Sequence, residues 1–406
     1  MRWFSWFLPS VGARPRRASR KRGGPLYTLQ RAPYLFTMNG SLKPRVVVGI
    51  SGGVDSSTAA ALLLQQGYEV IGVTLKLWPQ ECTARAEDKC CGPEAVMDAR
   101  RVCAELGIKH YLINEVEHFR RHVIQYFAAE YQAGRTPNPC VMCNQHTKFG
   151  TLLRCARQLE AAYIATGHYA RVETHPSSGR TLLLRGCDPR KDQSYFLFSL
   201  SQEFLARTLL PLGGLTKPQT REAARARRLK TADKKESMEI CFVPGNDYGA
   251  FLRDSGLVRP HRGEIVDLAG RVLGYHEGIE FYTIGQRRGL RLSAARPLYV
   301  VDLDPATNRV IVGQADALVC AEFLVERCNW IAFEQPAGPF QAVARIRYNH
   351  PGTLAAVTPV SNGRCRVTLR HPQRAVTPGQ ACVFYDGDLV LGGGWISRER
   401  PPSDIR

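Results

Sequence analysis

The segment from residue 51 to residue 57 combines residue types that can hold phosphate. It reads SGGVDSS and separates an apolar, β-branched run from a run rich in Ala and Leu. Two adjacent glycines let the backbone turn tightly, so that successive amides can point at phosphate oxygens. A following helix adds its positive N-terminal end, and Asp55 could hold Mg²⁺ on a pyrophosphate. The Lys of the G-x-x-x-x-G-K-[ST] loop is missing, which argues against an ordinary kinase or GTPase P-loop.

Two further segments carry cysteines in settings that suit sulfur or metal chemistry. Residues 134–144 read GRTPNPCVMCN, in which two prolines fix the backbone and Cys140 and Cys143 form a Cys-x-x-Cys pair. Residues 234–242 read KKESMEICF, where two lysines precede Cys241 and could favour its thiolate. Taken alone, Cys241 is more readily explained as a buried apolar residue. Two polar segments, TGHYA at 166–170 and KDQS at 191–194, complete the set.

Strands and helices alternate over the first half of the chain. The pattern predicts strands at 45–50, 68–75, 110–113 and 160–166, and helices at 58–67 and 93–106. Such alternation is typical of a doubly wound parallel α/β sheet, which we expect over residues 44–205.

The remaining sequence predicts two smaller domains. Residues 206–296 contain a basic helix at 221–229 and a charged loop at 230–242, and we expect a small α+β domain that carries Cys241. From 297 to 400, short strands separated by turns predict an antiparallel β-barrel. Its strands are expected at 298–303, 309–312, 342–347, 365–369, 381–385 and 389–391.

Charge and composition limit the classes to which the protein can belong. The 406 residues carry 55 Lys+Arg against 36 Asp+Glu, a formal charge of +19, and 44% are hydrophobic. These values are typical of a globular protein with a polyanionic partner such as nucleic acid. The 13 cysteines, an odd number, favour a reducing compartment over a disulfide framework. No run approaches the ~20 apolar residues of a membrane span, so we expect no membrane partner.

Residues 1–43 form a basic leader that contains no Asp or Glu. An Arg-rich, acid-free leader is typical of an organelle transit peptide, whereas Met38, just before the first predicted strand, suggests a later start. We therefore expect a cytoplasmic protein, with mitochondrion or plastid as the alternative if the leader is a transit peptide.

Taken in order, six motifs closely resemble those of the tRNA-specific 2-thiouridylase family: SGGVDSS, GRTPNPCVMCN, ATGHYA, KDQSYFL, ESMEICF and YTIGQRRGL (residues 282–290). The first alone resembles the PP-loop of ATP pyrophosphatases, which adenylate a substrate and release pyrophosphate. The PNP-x-x-x-CN loop followed by a distant ICF cysteine makes the resemblance specific, and it extends from residue 44 to 397. It implies an adenine nucleotide alpha hydrolase-like fold for the first domain.

The resemblance implies an ATP-dependent tRNA-uridine 2-sulfurtransferase. In this reaction the O2 atom of the wobble uridine (U34) in tRNAs for Lys, Glu and Gln attacks the α-phosphate of ATP. A sulfur nucleophile then displaces AMP, and the products are 2-thiouridine, AMP and pyrophosphate. The residues that match the family's ATP site, with its Mg²⁺, are Gly49, Ile50, Ser51, Gly52, Gly53, Val54, Asp55, Ser56, Leu75 and Gly167.

The resemblance also assigns the sulfur chemistry and the RNA contacts. Cys241 matches the residue that carries the terminal persulfide sulfur, and Cys143 matches the nucleophile that forms a transient Cys143–Cys241 disulfide. The sulfur donor would be a cysteine desulfurase or a sulfur-relay protein, and the enzyme would act as a monomer. The residues that match tRNA contacts are Asn138, Pro139, Cys140, His168, Lys191, Asp192, Gln193, Arg347, Tyr348 and Gln380.

The sequence departs from one branch of the family, which has Asp at the position of Cys140. Cys140, Cys143 and Cys241 could therefore hold a [4Fe–4S] cluster whose open iron delivers sulfide. We keep this as the alternative to the persulfide relay. Cys82, Cys90 and Cys91 could bind a structural metal or could be unreactive thiols in a loop.

Two other classes of function remain open at this stage. A PP-loop ligase that adenylates a small molecule would need none of the cysteines. A zinc-stabilised RNA-binding module without catalysis would not need the SGGVDSS loop. The combination of both features favours tRNA 2-thiolation.

Overall fold

The computed structural model describes residues 43–78, 93–234 and 240–399. All of these belong to one compact unit, Leu42–Arg406. The basic leader up to residue 42, together with Cys82, Cys90 and Cys91, lies outside the described residues.

A five-stranded parallel sheet forms the first domain, as the alternation predicted. Its strands are β1 (Arg45–Gly49), β2 (Glu69–Lys76), β3 (Lys109–Asn114), β4 (Tyr163–Ala165) and β7 (Thr208–Leu209). The order is β3-β2-β1-β4-β7, and each neighbouring pair runs parallel. The chain adds β2 and β3 on one side of β1 and later places β4 on the other. The topological switch point, where sheets of this kind bind ligands, therefore lies between β1 and β4.

The helices connect these strands and continue into the central domain. They are α1 (Val54–Gln65), α2 (Pro93–Glu105), α3 (Val116–Phe119), α4 (Gln125–Gln132), α5 (Pro139–Met142), α6 (Phe149–Gln158), α7 (Gln202–Ala206), α8 (Lys217–Ala226) and α9 (Tyr248–Ser255). A π-helical turn, Arg120–Ile124, joins α3 to α4, and a second, Cys143–Lys148, joins α5 to α6. Helix α1 begins earlier than the predicted residue 58, because the serines of the SGGVDSS loop form its first turn: Ser57 N donates to Gly53 O at 3.2 Å.

The central domain contains a four-stranded sheet. Its strands are β8 (Gly263–Asp267), β9 (Val272–His276), β10 (Tyr299–Asp304) and β11 (Arg309–Gly313), in the order β10-β11-β8-β9. The hairpin expected to open the barrel at 298–312 therefore forms, but β11 pairs in parallel with β8 instead. The boundary expected at 297 cuts through this sheet. The alternation of apolar and polar residues predicts the two strands of a hairpin. It does not predict which further strand of the sheet pairs with them.

The C-terminal strands form a closed six-stranded antiparallel barrel, as expected. They are β12 (Val319–Trp330), β13 (Phe340–Arg345), β14 (Thr353–Val360), β15 (Arg364–Arg374), β16 (Ala381–Asp386) and β17 (Leu389–Ile396). The order is β12-β15-β14-β13-β16-β17, and pairing of β12 with β17 closes the ring. The sequence analysis did not predict strands β12 and β14.

The first domain and the barrel share both a sheet and a core. A hairpin inserted after β4, made of β5 (Ala170–Thr174) and β6 (Thr181–Arg185), extends the barrel sheet through the pair Leu184–Leu389. One buried apolar cluster contains Val47 of β1 as well as Val383 and Trp395 of the barrel. Within the described residues, no helix is long and apolar enough to cross a membrane.

Candidate active site

The SGGVDSS loop lies at the carboxyl end of β1, next to the switch point. It is held by its own side chains: the Ser56 hydroxyl accepts from Ser51 N at 3.1 Å, and the Ser57 hydroxyl donates to Gly53 O at 2.8 Å. Gly52 has φ +71°, and a Cβ there would lie 2.4 Å from Ala95 O. The loop therefore requires glycine both for its conformation and for its close packing on α2.

The segment after β4 packs directly on this loop. A Cβ on Gly167 would lie 2.7 Å from both Asp55 C and Ser56 N. Leu75 occupies the corresponding end of β2. The residues expected to bind ATP, which come from three separate segments, thus meet at the carboxyl ends of β1, β2 and β4.

Asp55 is the acidic residue in the first turn of α1, and its carboxylate already has protein partners. Lys217 Nζ donates to its two oxygens at 2.7 and 2.9 Å, and the Tyr169 hydroxyl donates to Oδ1 at 2.8 Å. Mg²⁺ usually binds through one or two carboxylates together with substrate phosphates. A single carboxylate beside a phosphate-binding loop fits that requirement, so Asp55 is the residue that would hold the ion.

The cysteine segment forms the short helix α5 and the π-helical turn after it. Asn138 caps α5, since its Oδ1 accepts from Val141 N at 3.4 Å. Cys140 lies three residues before Cys143, and Lys148 lies five residues after it, spacings that put all three on one side of a helix containing a π turn. Helical turns of this kind occur frequently at functional sites.

Cys143 and Cys241 belong to the same apolar cluster. Cys143 is buried in it, and Cys241 is half-buried against it, next to the fully enclosed Phe242. None of Cys140, Cys143 and Cys241 forms a disulfide, and Cys140 retains exposed surface. The fold thus places two cysteines that are almost a hundred residues apart in the sequence at one apolar cluster.

The surroundings of Cys140 and Cys143 favour the protonated forms of these two thiols. Burial raises the pKa of Cys143, and the dense protein around Cys140 raises its pKa to about 11, although the residue is partly exposed. The charge of Lys148 acts in the opposite direction on both thiols and favours their thiolates. Lys148 is therefore the group positioned to assist their deprotonation.

The three cysteines do not form a metal-binding group in this structure. Among residues 43–78, 93–234 and 240–399, no set of three His, Cys, Asp or Glu side chains is arranged to hold a metal ion. The arrangement of the described residues therefore gives no support to a [4Fe–4S] cluster on Cys140, Cys143 and Cys241.

Three family models match successive parts of the chain. Residues 44–245 match the model described as tRNA methyl transferase HUP domain, residues 250–314 the tRNA methyl transferase PRC-barrel domain, and residues 320–396 the Aminomethyltransferase beta-barrel domain. The tRNA-specific 2-thiouridylase MnmA of Heliobacterium modesticaldum is 49% identical over 361 residues, which cover 88% of this chain and 93% of that protein. The chain belongs to the tRNA-specific 2-thiouridylase family.

A second relative agrees with this membership. The tRNA-specific 2-thiouridylase MnmA of Carboxydothermus hydrogenoformans is 49% identical over 358 residues, covering 88% of this chain and 98% of that protein. The solved structure of a 4-thiouridine synthetase–RNA complex with bound ATP aligns at 18% identity and a TM-score of 0.34, over 52% of this chain and 50% of that chain. The membership confirms the resemblance read from the motifs.

Several residues that are expected to contact tRNA make internal contacts in the structure. Asp192 is buried, and its Oδ1 accepts from Gly186 N at 3.1 Å and Ser194 N at 3.0 Å. Gln380 Nε2 donates to the carbonyls of Thr136 and Pro137 at 3.1 and 3.0 Å. These two residues therefore hold neighbouring backbone segments in place.

The remaining residues of that group differ in exposure. Arg347 is exposed, Lys191 is half-buried, and the Tyr348 ring lies 4.5 Å from the Phe196 ring. Gln193 Oε1 accepts from Tyr169 N at 3.0 Å, while Asn138 and Pro139 are buried at the start of α5. Among the predicted tRNA contacts, Arg347 and Lys191 are thus the residues whose positively charged groups are accessible to RNA.

Three residues at the site were missed by the sequence analysis: Lys148, Tyr169 and Lys217. The spacing of Lys148 from Cys143 carried a usable signal, because both lie on one helix. The contact of Lys217 with Asp55 spans 162 residues, and no local pattern predicts it.

His168 is buried beside Lys148 and carries a pH dependence that can be measured. Its Nδ1 lies 2.7 Å from the Thr166 hydroxyl, and burial, assisted by the charge of Lys148, lowers its pKa to about 3. The folded protein keeps His168 neutral, whereas the unfolded chain binds a proton there below about pH 6.5. Stability should therefore fall as the pH is lowered, by about 2 kcal/mol between pH 7 and pH 5 from this group.

Urea unfolding at pH 7, 6 and 5 measures this effect. In His168→Gln the difference in the free energy of unfolding between pH 7 and pH 5 should be smaller than in the wild type by about 2 kcal/mol. The matched control, His371→Gln, changes an exposed histidine and should leave the difference unaltered. An unchanged pH dependence in His168→Gln would contradict the burial of a neutral imidazole.

Proposed function

We propose that the protein catalyses ATP-dependent 2-thiolation of the wobble uridine U34 of tRNAs for Lys, Glu and Gln, using a persulfide on Cys241. The observation that carries the proposal is the shared apolar cluster of Cys143 and Cys241. Lys148 links this cluster to the nucleotide loop: its charge acts on Cys143 and on His168, and Gly167 next to His168 packs on Asp55.

The first half-reaction activates the base. The amides of the SGGVDSS loop hold the phosphates of ATP while uridine O2 attacks the α-phosphorus, and pyrophosphate leaves. Mg²⁺ held by Asp55 would neutralise phosphate charge. The O2 atom, a poor leaving group, becomes part of AMP, which can be displaced from C2.

The second half-reaction transfers sulfur. The terminal sulfur of the Cys241 persulfide attacks C2 and expels AMP, which leaves a sulfur atom bridging Cys241 and the base. The Cys143 thiolate then attacks the Cys241 sulfur, and the electron pair of the broken S–S bond stays on the sulfur of the product, 2-thiouridine. An external thiol reduces the resulting Cys143–Cys241 disulfide and resets the enzyme.

The family models include the words methyl transferase, and the site argues for thiolation instead. Methyl transfer to tRNA needs neither a phosphate-binding loop nor a pair of thiols. Both are present here, and the relatives at 49% identity are named thiouridylases.

The proposal extends to partners and location. The persulfide on Cys241 would come from a cysteine desulfurase or a sulfur-relay protein, and the chain would work as a monomer on one tRNA. We place the reaction in the cytoplasm, or in a mitochondrion or plastid if the basic leader is a transit peptide.

A sulfur-transfer assay on unmodified tRNA tests the function. Aerobic, iron-free protein and protein reconstituted anaerobically with iron and sulfide each receive Mg-ATP and either a persulfide donor or sulfide. Digested tRNA is then analysed for 2-thiouridine. We expect product from the iron-free protein with the persulfide donor and none without ATP. Product only after reconstitution would replace the relay by the cluster, and no product in any arm would refute the function.

A further inference from the structure

A strongly basic cavity of about 600 Å³ is lined in part by Lys217, the ion-pair partner of Asp55. It is lined by Asp188, Arg190, Lys191, Lys217, Pro218, Arg221 and Arg225. Asp188 is the one carboxylate in the lining. It already accepts hydrogen bonds from two backbone amides, Lys217 N and Arg190 N, both at 3.0 Å. The cavity therefore presents an excess of positive charge, which suits a ligand with several negative charges.

Lys217 is the deepest of these cations. Its side chain is only 9% exposed, and it forms an ion pair with Asp55 of the SGGVDSS loop. Its backbone is fixed at the start of α8, where Thr216 and Gln219 form a reciprocal cap. A buried ammonium needs an ion-pair partner such as Asp55, because an unpaired charge in that position would strongly destabilise the fold. The ammonium is thus held at the loop in the absence of any ligand.

The loop itself carries no lysine, although loops that bind nucleotide triphosphates commonly use one to reach the terminal phosphates. We propose that Lys217 supplies this cation from α8. In the ATP complex its ammonium contacts the β- and γ-phosphates that leave as pyrophosphate, and the basic cavity behind it receives them. When the Lys217 ammonium contacts phosphate in place of Asp55, the Asp55 carboxylate is released from its ion pair. The ligand class is a diphosphate group, and the inference rests on the proposed function only for the identity of ATP as its source.

A tRNA phosphodiester is the competing ligand for this cavity, since Lys191 at its edge is among the expected RNA contacts. The position of Lys217 argues against it. A side chain buried to this degree, with its ammonium 2.7 Å from the loop carboxylate, faces the nucleotide site. The more exposed cation of the cavity, Arg225, is paired with Asp233 and is the side chain open to a polynucleotide.

Isothermal titration of the full-length protein with Mg-pyrophosphate, Mg-ATP and unmodified tRNA tests the assignment. Lys217→Gln should weaken pyrophosphate binding by about tenfold or more, the usual effect of losing a charge-assisted hydrogen bond, and should leave tRNA binding within twofold of the wild type. Lys217→Arg, which keeps the charge, should recover most of the affinity. The matched control is Lys230→Gln, the same change at an exposed lysine paired with Glu105 outside the cavity.

Two results would overturn the assignment: wild-type pyrophosphate affinity in Lys217→Gln, or a loss confined to tRNA, which would give the cavity to the RNA backbone. If Lys217→Gln does not fold, Arg225→Gln leaves the Asp55 ion pair intact and removes one cavity cation. It should weaken pyrophosphate binding by about two- to fivefold, and unchanged binding would refute the cavity's role. Pyrophosphate titration needs neither tRNA nor a sulfur donor, so a failure of the thiolation assay does not affect it.

Discussion

Cys241→Ser and Cys143→Ser should each reduce 2-thiouridine formation to below about one-thousandth of the wild-type rate, as removal of a catalytic nucleophile commonly does. A serine oxygen at 241 cannot carry a sulfane sulfur, and one at 143 cannot release sulfur by forming a disulfide. Both changes remove one polarizable atom from an apolar cluster, so the fold should persist. The measurement is 2-thiouridine in tRNA digests after single-turnover reactions with Mg-ATP and a persulfide donor.

Matched controls separate these roles from a general need for thiols. Cys187→Ser removes an exposed cysteine outside the cluster and should retain wild-type activity. Cys140→Ala should retain activity in iron-free protein under the relay and should lose it if a three-cysteine cluster delivers sulfide. Full activity of Cys241→Ser would refute the relay.

Gly167→Ala should abolish ATP binding in the micromolar range while leaving a folded protein. The added methyl carbon would lie 2.7 Å from backbone atoms of Asp55 and Ser56, so the first turn of α1 must shift. Displaced loop amides no longer match the phosphate oxygens, and we expect a loss of affinity of about 100-fold, the equivalent of one or two charge-assisted hydrogen bonds. Equilibrium binding of Mg-ATP measures the effect, and circular dichroism checks the fold.

Gly150→Ala is the control for this change. Gly150 lies in α6, where a Cβ would meet Gln145 O at an ordinary 3.5 Å. The variant should bind ATP normally and gain about 1 kcal/mol of stability, because alanine favours a helix over glycine. Normal ATP affinity in Gly167→Ala would show that the loop tolerates the displacement.

The nucleotide loop could be predicted because its signals are local. A buried strand, two glycines and a helix follow one another within twenty residues, and the structure places them at the switch point as expected. The neighbour of the hairpin at 299–313 could not be predicted in this way. Strand β11 pairs with β8, more than forty residues earlier, and nothing in either sequence identifies the partner.

The predicted RNA contacts show a second limit of sequence analysis. A motif indicates that Asp192 and Gln380 matter, but it does not say which way their side chains point. Asp192 holds backbone amides of its own loop, and Gln380 holds the carbonyls of Thr136 and Pro137. Contacts between distant segments depend on tertiary packing, as does the pairing of Lys217 with Asp55.

The hydrogen bond from Gln380 to Pro137 also determines when, during synthesis, the protein can become active. These residues are 243 positions apart, and Thr136 N adds a bond to Pro378 O. At the usual ribosomal rate of about 5–20 residues per second, roughly 12–50 s pass between their translation. During that interval Thr136 and Pro137, which precede Cys140, lack their hydrogen bonds to residues 378 and 380. A chain that terminates early never forms these bonds. We therefore expect messages truncated anywhere before codon 380 to yield no active protein, even when the whole ATP-binding domain has been made.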